Sequence, residues 1–403
     1  MMQIAVMGYG TIGSGVVEVL EINRERIAKK TGQEIGVKYI LDLREFPGDP
    51  YEEQIVHDFS VIEKDEDVCL VVEAMGGVNP AYAFVKACLE SGKHVVTSNK
   101  ALVAAHGTEL LQIARDRNLN FLFEASVGGG IPLIRPLTQS LAGEEILEIC
   151  GILNGTTNYI LTKMDQEGQD FETALKKAQE LGYAERNPEA DVEGYDTCRK
   201  IAILTALATE REVNFEEVYT EGITRITDTD FQYAARLKTS IRLLGVSRMD
   251  GERVSVFVCP VMVQADHPLY AVSDVYNGVV VRGRTVGTIM FYGSGAGKLP
   301  TANAVVSDIV EIAGHLSDHI PFGWSAKKQA LTPVEEQNFS YFIRFAGQAA
   351  EKFADVEAVF AGARLIELEG KDEFAVITGR MSEARCRKLA AAFPDILQTI
   401  RCF

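Results

Sequence analysis

Apolar residues recur along this chain in two rhythms, and the alternation between them divides it. Residues 2–7 form a β-branched run that gives way after Gly8 to a helical spacing, Val16, Val17 and Leu20. Short apolar runs return at 36–41, 67–73, 93–97 and 120–124, with helical spacing at 81–91 and 110–115 between them. Strands alternating with helices predict a parallel sheet of the doubly wound kind. Residues 132–141 read as a helix leading into a second region, where 148–153, 254–258 and 279–281 are strand-like and 170–181 helical. That mixture predicts an α+β domain with an antiparallel or mixed sheet. Residues 289–297 and the helix from Pro300 to His315 repeat a strand–turn–helix that returns to the first region. Residues 325–338 turn polar, as a linker does, and the tail reads βαββαβ over 340–345, 348–360, 363–369, 374–378, 382–393 and 397–403, a small separate domain.

Glycine placement gives the first region its chemistry. Gly8-Tyr-Gly10-Thr11-Ile12-Gly13 lies between the first strand and the first helix, where glycines permit a tight turn and a helix N-terminus receives a pyrophosphate. The second strand ends at Asp42, an acid able to accept from a ribose 2′-OH, while Arg44 could instead hold a 2′-phosphate; the choice stays open. Met75 sits in the turn 74–77 at the carboxyl end of the 67–73 strand, where cofactors lie in such sheets. Lys100 follows the next strand at its carboxyl end, toward the nicotinamide crevice. Glu124 heads the turn Glu124-Ala-Ser-Val-Gly-Gly-Gly-Ile-Pro132. Exposed glycine carbonyls beside a carboxylate suit a hard cation, and a domain hinge is an equal reading.

Residues 181–207 are the organising stretch. Gly182, Pro188 and Gly194 punctuate a loop, and a helical pattern begins at Tyr195. Asp196, Lys200, Ile203 and Leu207 share one face, so an ion-pair spacing falls on a buried stripe. Buried unpaired charge is costly, so a polar cavity at the helix start is expected, with Glu185 and Asp191 on its wall. Carboxylates around one ammonium suit an amino-acid substrate. The turn 154–159 offers N–H groups and hydroxyls for a carboxylate or carbonyl oxygen.

Composition narrows the classes. The 403 residues are 47% hydrophobic and 24% charged, enough for two or three globular domains. A net charge of −17 argues against nucleic acid or an anionic membrane as partner. Seven scattered cysteines without CxxC spacing exclude a disulfide framework or zinc site, and the cytoplasm is the expected compartment.

Taken together, Gly8–Gly13, Ser98-Asn-Lys100, the 124–132 turn, Asn154-Gly-Thr-Thr-Asn-Tyr159, Leu181-Gly-Tyr-Ala-Glu185, Gly194-Tyr-Asp-Thr-Cys-Arg-Lys200 and Gly293-Ser-Gly-Ala-Gly297 resemble the homoserine dehydrogenase family in order and spacing. The resemblance implies three parts: a Rossmann NAD(P)-binding domain at 1–132 completed by about 290–322, a substrate-binding and dimerisation domain at 133–289, and an ACT-like domain at 338–403. It implies NAD(P)-dependent, reversible reduction of L-aspartate 4-semialdehyde to L-homoserine in a homodimer or tetramer. The lysine matching Lys200 then donates and accepts the proton, and that matching Lys100 lies beside cofactor and substrate. Positions matching Glu185, Asp196 and Asp191 hold the substrate, and those matching Gly155, Thr156 and Tyr183 line its pocket. Gly182 and Gly297 match cofactor contacts. A sodium ion is implied at Glu124, Val127, Gly129 and Ile131. The tail departs from the amino-acid-sensing pattern at Ala346-Gly-Gln-Ala349, which sets threonine feedback in question, and Leu41 stands where a basic residue precedes the second-strand acid. Two other readings remain: another amino-acid dehydrogenase on this scaffold, or a non-catalytic amino-acid sensor.

Overall fold

A computed structural model describes residues 1–403. The chain divides into two compact units: residues 1–144, 202–215 and 293–329 in the first, and residues 145–201, 216–292 and 330–403 in the second.

The first unit is built on six strands, β1 (Met2–Met7), β2 (Ile35–Leu41), β3 (Ile55–Val56), β4 (Val68–Glu73), β5 (His94–Thr97) and β6 (Phe121–Leu122). They pair in the order β3-β2-β1-β4-β5-β6, every neighbour parallel. That is the doubly wound order of a dinucleotide-binding sheet, whose crevice opens where β1 and β4 diverge. β1 and β4 are almost wholly buried, which is why they read as continuous apolar runs rather than alternating ones. The helix Thr11–Ile22 covers β1, and the later helix Lys298–Ala313 packs on it so closely that a Cβ at Gly15 would meet Ala302 at 3.1 Å. The helix expected at 110–115 in fact runs Lys100–Asp116, because the Asn99 side chain accepts from the Leu102 N–H and starts it early. The expected 132–141 helix is a π-helix, Pro136–Ser140, beginning at a proline. The polar stretch after residue 325 is not all linker: β8 (Arg211–Glu212) pairs with a later strand at Ser325–Lys328.

The second unit holds the long strands. β7 (Ile146–Ile152), β9 (Tyr219–Thr220), β10 (Thr239–Asp250), β11 (Arg253–Gln264), β12 (Tyr276–Gly283) and β13 (Gly287–Ser294) precede β14, the Ser325–Lys328 strand. The tail supplies β15 (Asn338–Ala346), β16 (Arg364–Glu367), β17 (Glu373–Ile377), β18 (Met381–Ser382) and β19 (Ile396–Cys402). One mixed sheet runs β13-β12-β7-β10-β11-β19-β15-β17-β16. The tail shows the expected βαββαβ order, but it is not walled off as a third unit. β19 pairs in parallel with β11 through Val261–Arg401 and Met262–Cys402, so middle and tail share one sheet and one core containing Phe257, Val261, Phe339, Tyr341 and Phe345. No helix is long and apolar enough to cross a membrane.

Candidate active site

In the first unit the glycines of the 8–13 turn do separate jobs. Gly8 has φ +93°, and a Cβ there would lie 2.8 Å from the Ala74 carbonyl oxygen. A Cβ on Gly13 would sit 1.8 Å from the Gly8 oxygen, so only glycine lets the helix pack this close. Gly10 faces open space, the side from which a pyrophosphate approaches. Thr11 and Ile12 open the helix beyond it. A cavity of about 610 Å³ follows, lined among others by Gly10, Asp42, Arg44, His57, Met75 and Phe84. Its size suits one half of a dinucleotide.

Asp42 and Arg44 were alternatives on sequence; the fold pairs them. Arg44 Nε and Nη2 donate to Asp42 Oδ1 and Oδ2, each at 2.9 Å, and the Tyr9 N–H donates to Oδ2 at 2.8 Å. The Arg44 guanidinium holds the Asp42 carboxyl well below the usual carboxylate range. His57, which the sequence did not single out, donates from Nδ1 to the Asp42 carbonyl at 2.7 Å and sets Nε2 3.0 Å from Glu45. These contacts raise its pKa, the carbonyl first.

Glu73, also unnoticed, is fully buried at the end of β4. It accepts from the N–H groups of Met75 and Gly76 and from the Thr97 hydroxyl, and so fixes the turn carrying Met75. Burial pushes its pKa up. Asn99 bridges to the Gly77 carbonyl at 2.5 Å, and Lys100 follows as the first residue of its helix, half-buried.

Residues 124–129 of the turn are buried, not open as three glycines suggested, with Gly130 half-buried, Pro132 exposed, and φ of +80° and +55° at Gly128 and Gly129. A Cβ on Gly129 would lie 2.5 Å from the Gly295 oxygen, so this turn and the one ending at Gly297 are pressed together. Gly297 has φ +117° and caps the helix Lys298–Ala313. Glu124 Oε1 accepts from the Leu133 and Ile134 N–H groups and Oε2 from that of Arg135. Its own N–H donates to Asp308, which is paired to Arg135 at 2.5 Å.

The second unit gathers the acid–amine cluster. The helix Tyr195–Thr209 carries Asp196 and Lys200 on its inner face, 2% and 8% exposed. Lys200 Nζ donates to Asp196 Oδ2 and to the Leu153 carbonyl, both at 2.7 Å. Asn154 ends the turn after β7 and starts the helix Gly155–Glu167, an element the sequence left as a turn. Its amide donates to Asp191 at 2.7 Å and to Asp196 at 2.9 Å. Gly155 packs against the Val275 carbonyl, where a Cβ would come to 2.8 Å. The Thr156 hydroxyl donates to the Tyr183 carbonyl at 2.6 Å, and the Tyr183 ring meets Tyr159 edge-on. Gly182, Tyr183 and Glu185 lie exposed on their loop; the fold does not draw the Glu185 carboxylate into the cluster.

A buried ammonium paired with one carboxylate, a second carboxylate joined to that one through Asn154, and a dinucleotide turn with its cavity are parts a dehydrogenase acting on a charged small molecule requires. The homoserine dehydrogenase family model matches residues 132–310, and that for the family's NAD-binding domain matches residues 8–124. A Bacillus subtilis homoserine dehydrogenase is 36% identical over 99% of this chain and 94% of its own. The chain belongs to the homoserine dehydrogenase family. A crystal structure of the Thiobacillus denitrificans homoserine dehydrogenase superposes with a TM-score of 0.92 at 32% identity, covering 100% of this chain and 98% of that one. A hyperthermophilic archaeal homoserine dehydrogenase in complex with NADPH gives 0.65 at 26% identity over 77% of this chain and 97% of its own. Homoserine dehydrogenase is an NAD(P)-dependent oxidoreductase acting on a CH–OH group, interconverting L-homoserine and L-aspartate 4-semialdehyde, and this places the chain apart from a non-catalytic sensor.

Proposed function

We propose that Lys200 gives the proton to the forming alkoxide when the aldehyde is reduced and takes it back when homoserine is oxidised. The observation that carries this is the buried ammonium held at 2.7 Å by Asp196 and by the Leu153 carbonyl, a proton donor with fixed direction. NAD(P)H, when bound, supplies the hydride. Asp191 and Asp196 hold the substrate ammonium, with Glu185 closing from its loop and Gly155, Thr156 and Tyr183 as pocket wall. Lys100 polarises the reacting oxygen. Gly8, Gly10, Thr11, Ile12, Gly13, Met75, Gly182 and Gly297 serve the cofactor. Steady-state rates for Lys200→Ala set beside its cofactor affinity test the assignment: unchanged turnover removes Lys200 from the chemistry.

Both nicotinamide cofactors fit the Asp42–Arg44 pair. Asp42 now spends its acceptor sites on Arg44 and Tyr9. It frees one for a ribose hydroxyl only when the exposed Arg44 swings out, and the same swing lets Arg44 meet a 2′-phosphate. His57 shares that cavity. Its raised pKa keeps it protonated to a higher pH than free imidazole, and the charge is lost as pH rises through that value. The NADPH-to-NADH ratio of kcat/KM therefore falls about two- to fivefold as pH rises through the His57 titration, the size of an exposed ion pair. In His57→Gln the ratio is flat with pH; an identical slope in that variant shows that another group titrates.

A sodium ion fits the 124–131 turn. Glu124 keeps one acceptor position on Oε2 beyond its three N–H donors, and the carbonyls of Val127, Gly129 and Ile131 complete the oxygen set. Behind the turn Asp308 accepts from the Glu124 N–H and pairs with Arg135, and burial pushes its carboxyl up to about 8. The tail strands pair antiparallel in the order β19-β15-β17-β16, which supports an ACT-like module and an amino-acid effector such as L-threonine. Strand β13 is a sheet edge with Tyr276 and Tyr292 exposed beside it, which supports a homodimer, with tetramers by further pairing. Seven free cysteines support the cytoplasm.

A further inference from the structure

We propose that Asn154 is a positioning residue: its amide clamps Asp191 and Asp196 side by side and shares Asp196 with Lys200, so setting both the grip on the substrate ammonium and how readily Lys200 gives up its proton.

Only one orientation of this amide satisfies its neighbours. Oδ1 accepts from the Thr157 N–H at 2.8 Å and the Thr157 hydroxyl at 3.0 Å, which ties it to the start of the helix Gly155–Glu167. The two N–H bonds of Nδ2 are thereby aimed the other way, at Asp191 Oδ1 and Asp196 Oδ2. A flipped amide would set an oxygen against two carboxylates and an NH₂ against an N–H. The residue is 5% exposed, so water does not substitute. Two carboxylates brought this close repel each other, and one amide between them both offsets the repulsion and fixes their spacing.

Asp196 Oδ2 has two donors, Asn154 at 2.9 Å and Lys200 at 2.7 Å. Each weakens the hold of the other on that oxygen. The groups that face Lys200 include Asp196 on its own helix and the Leu153 carbonyl just past β7, and Asp191, on the helix Glu189–Val192, is tied to Asp196 through Asn154. Nearby Glu193 is engaged by the Thr224 hydroxyl, and Arg199 is half-buried on the same helix. Without the amide, Asp196 Oδ2 loses one of these two donors and bears more fully on Lys200. The ammonium is then stabilised and the neutral amine needed to take a proton from homoserine forms only at higher pH.

The inference rests on Lys200 as the proton-transfer group. The experiment is the pH profile of kcat for homoserine oxidation, with KM for homoserine and cofactor affinity, in Asn154→Ser and Asn154→Asp. Both replacements keep an oxygen that caps the helix, and a thermal melt of each checks that it is folded before its kinetics are read. In Asn154→Ser the rising limb moves about one pH unit to the alkaline side, about tenfold in kcat on that limb. KM for homoserine rises and cofactor affinity holds. Asn154→Asp, with a third carboxylate, moves the limb further. A limb and KM that stay in place in both variants, with only the melting temperature lowered, overturn the proposal. Lys200→Ala separates the two layers. If it abolishes the limb while the Asn154 variants leave it unmoved, the Asn154 role alone falls; if it leaves the limb intact, the Lys200 reading falls first.

Discussion

Lys200→Ala lowers turnover by roughly 10²–10⁴-fold, the range for loss of a positioned acid–base group, in both directions of the reaction. Cofactor affinity stays near that of the parent, because the dinucleotide turn at residues 8–13 belongs to the other unit. Truncation does not strand the remaining carboxylate. Asp196 keeps the Asn154 amide at 2.9 Å, so the cost lies below the roughly 3–5 kcal/mol of breaking a buried pair outright. The space left by the side chain ends beside Asp196 and the Leu153 carbonyl, two acceptors suited to a small ammonium. Added methylamine should therefore restore part of the turnover, and with a rising pH dependence in the oxidative direction. Turnover within tenfold of the parent, or no response to the amine in a folded variant, would count against Lys200 as the proton carrier. Thermal melting alongside the kinetics separates a chemical loss from an unfolded sample.

Where the sequence carried a local physical signal, it was legible. The β1–turn–helix unit could be read because Gly13 is required by a backbone contact within the turn itself, with the Gly8 carbonyl, whereas the close approach of Gly8 to Ala74 comes from far along the chain. The Asp196–Lys200 pair could be read because a helix puts residues four apart on one face. What escaped depends on partners far along the chain. Glu73 is an acid at the end of an apolar strand, and its role appears only when Thr97 and Asn99 arrive from β5 and the turn beyond it. Asn154 looked like a turn residue; its cap on Thr157 was within reach, since an asparagine three residues before a hydroxyl at a strand end is a helix-start pattern. Its contact with Asp191 spans 37 positions and was not. β10 was missed altogether, being so evenly buried along its length that no alternation marks it. Arg44 and Asp42 show the reverse case. Both were noticed, but as rivals, because pairing between neighbours two apart depends on how the strand end turns.

Removing the tail, residues 338–403, abolishes soluble expression of the rest. A small domain read as separate should be dispensable; here the shared sheet makes it part of the core of the second unit. Phe257 packs edge-on against Phe339 with ring centroids 5.4 Å apart, and Val261 pairs with Arg401. Exposing Phe257, Val261 and Val263 alone forfeits about 1.5–3 kcal/mol each, against a total stability of about 5–15 kcal/mol for a typical domain. It also uncovers the β11 edge at Val261 and Met262, where β19 pairs, an aggregation hazard. Ionic ties point the same way. Arg401 donates to Glu221, Tyr219 and Glu383, and Arg344 to the fully buried Asp230, whose side chain completes the capping box of the helix Asp228–Leu237. Arg401→Ala, which keeps the tail, therefore destabilises by less than the roughly 3–5 kcal/mol of breaking a buried pair outright, because Glu221 keeps Arg225 and Glu383 keeps Arg387. From Glu221 the chain passes directly to Gly222, where a Cβ would lie 2.3 Å from the Val192 carbonyl, and to Ile223, whose N–H donates to that same oxygen at 2.8 Å. The short helix so held, Glu189–Val192, carries Asp191, so the Arg401 variant should raise KM for homoserine as well as lower the urea midpoint. A soluble 1–337 fragment that unfolds cooperatively and turns over homoserine at the parent rate would show that the tail is an appendage after all.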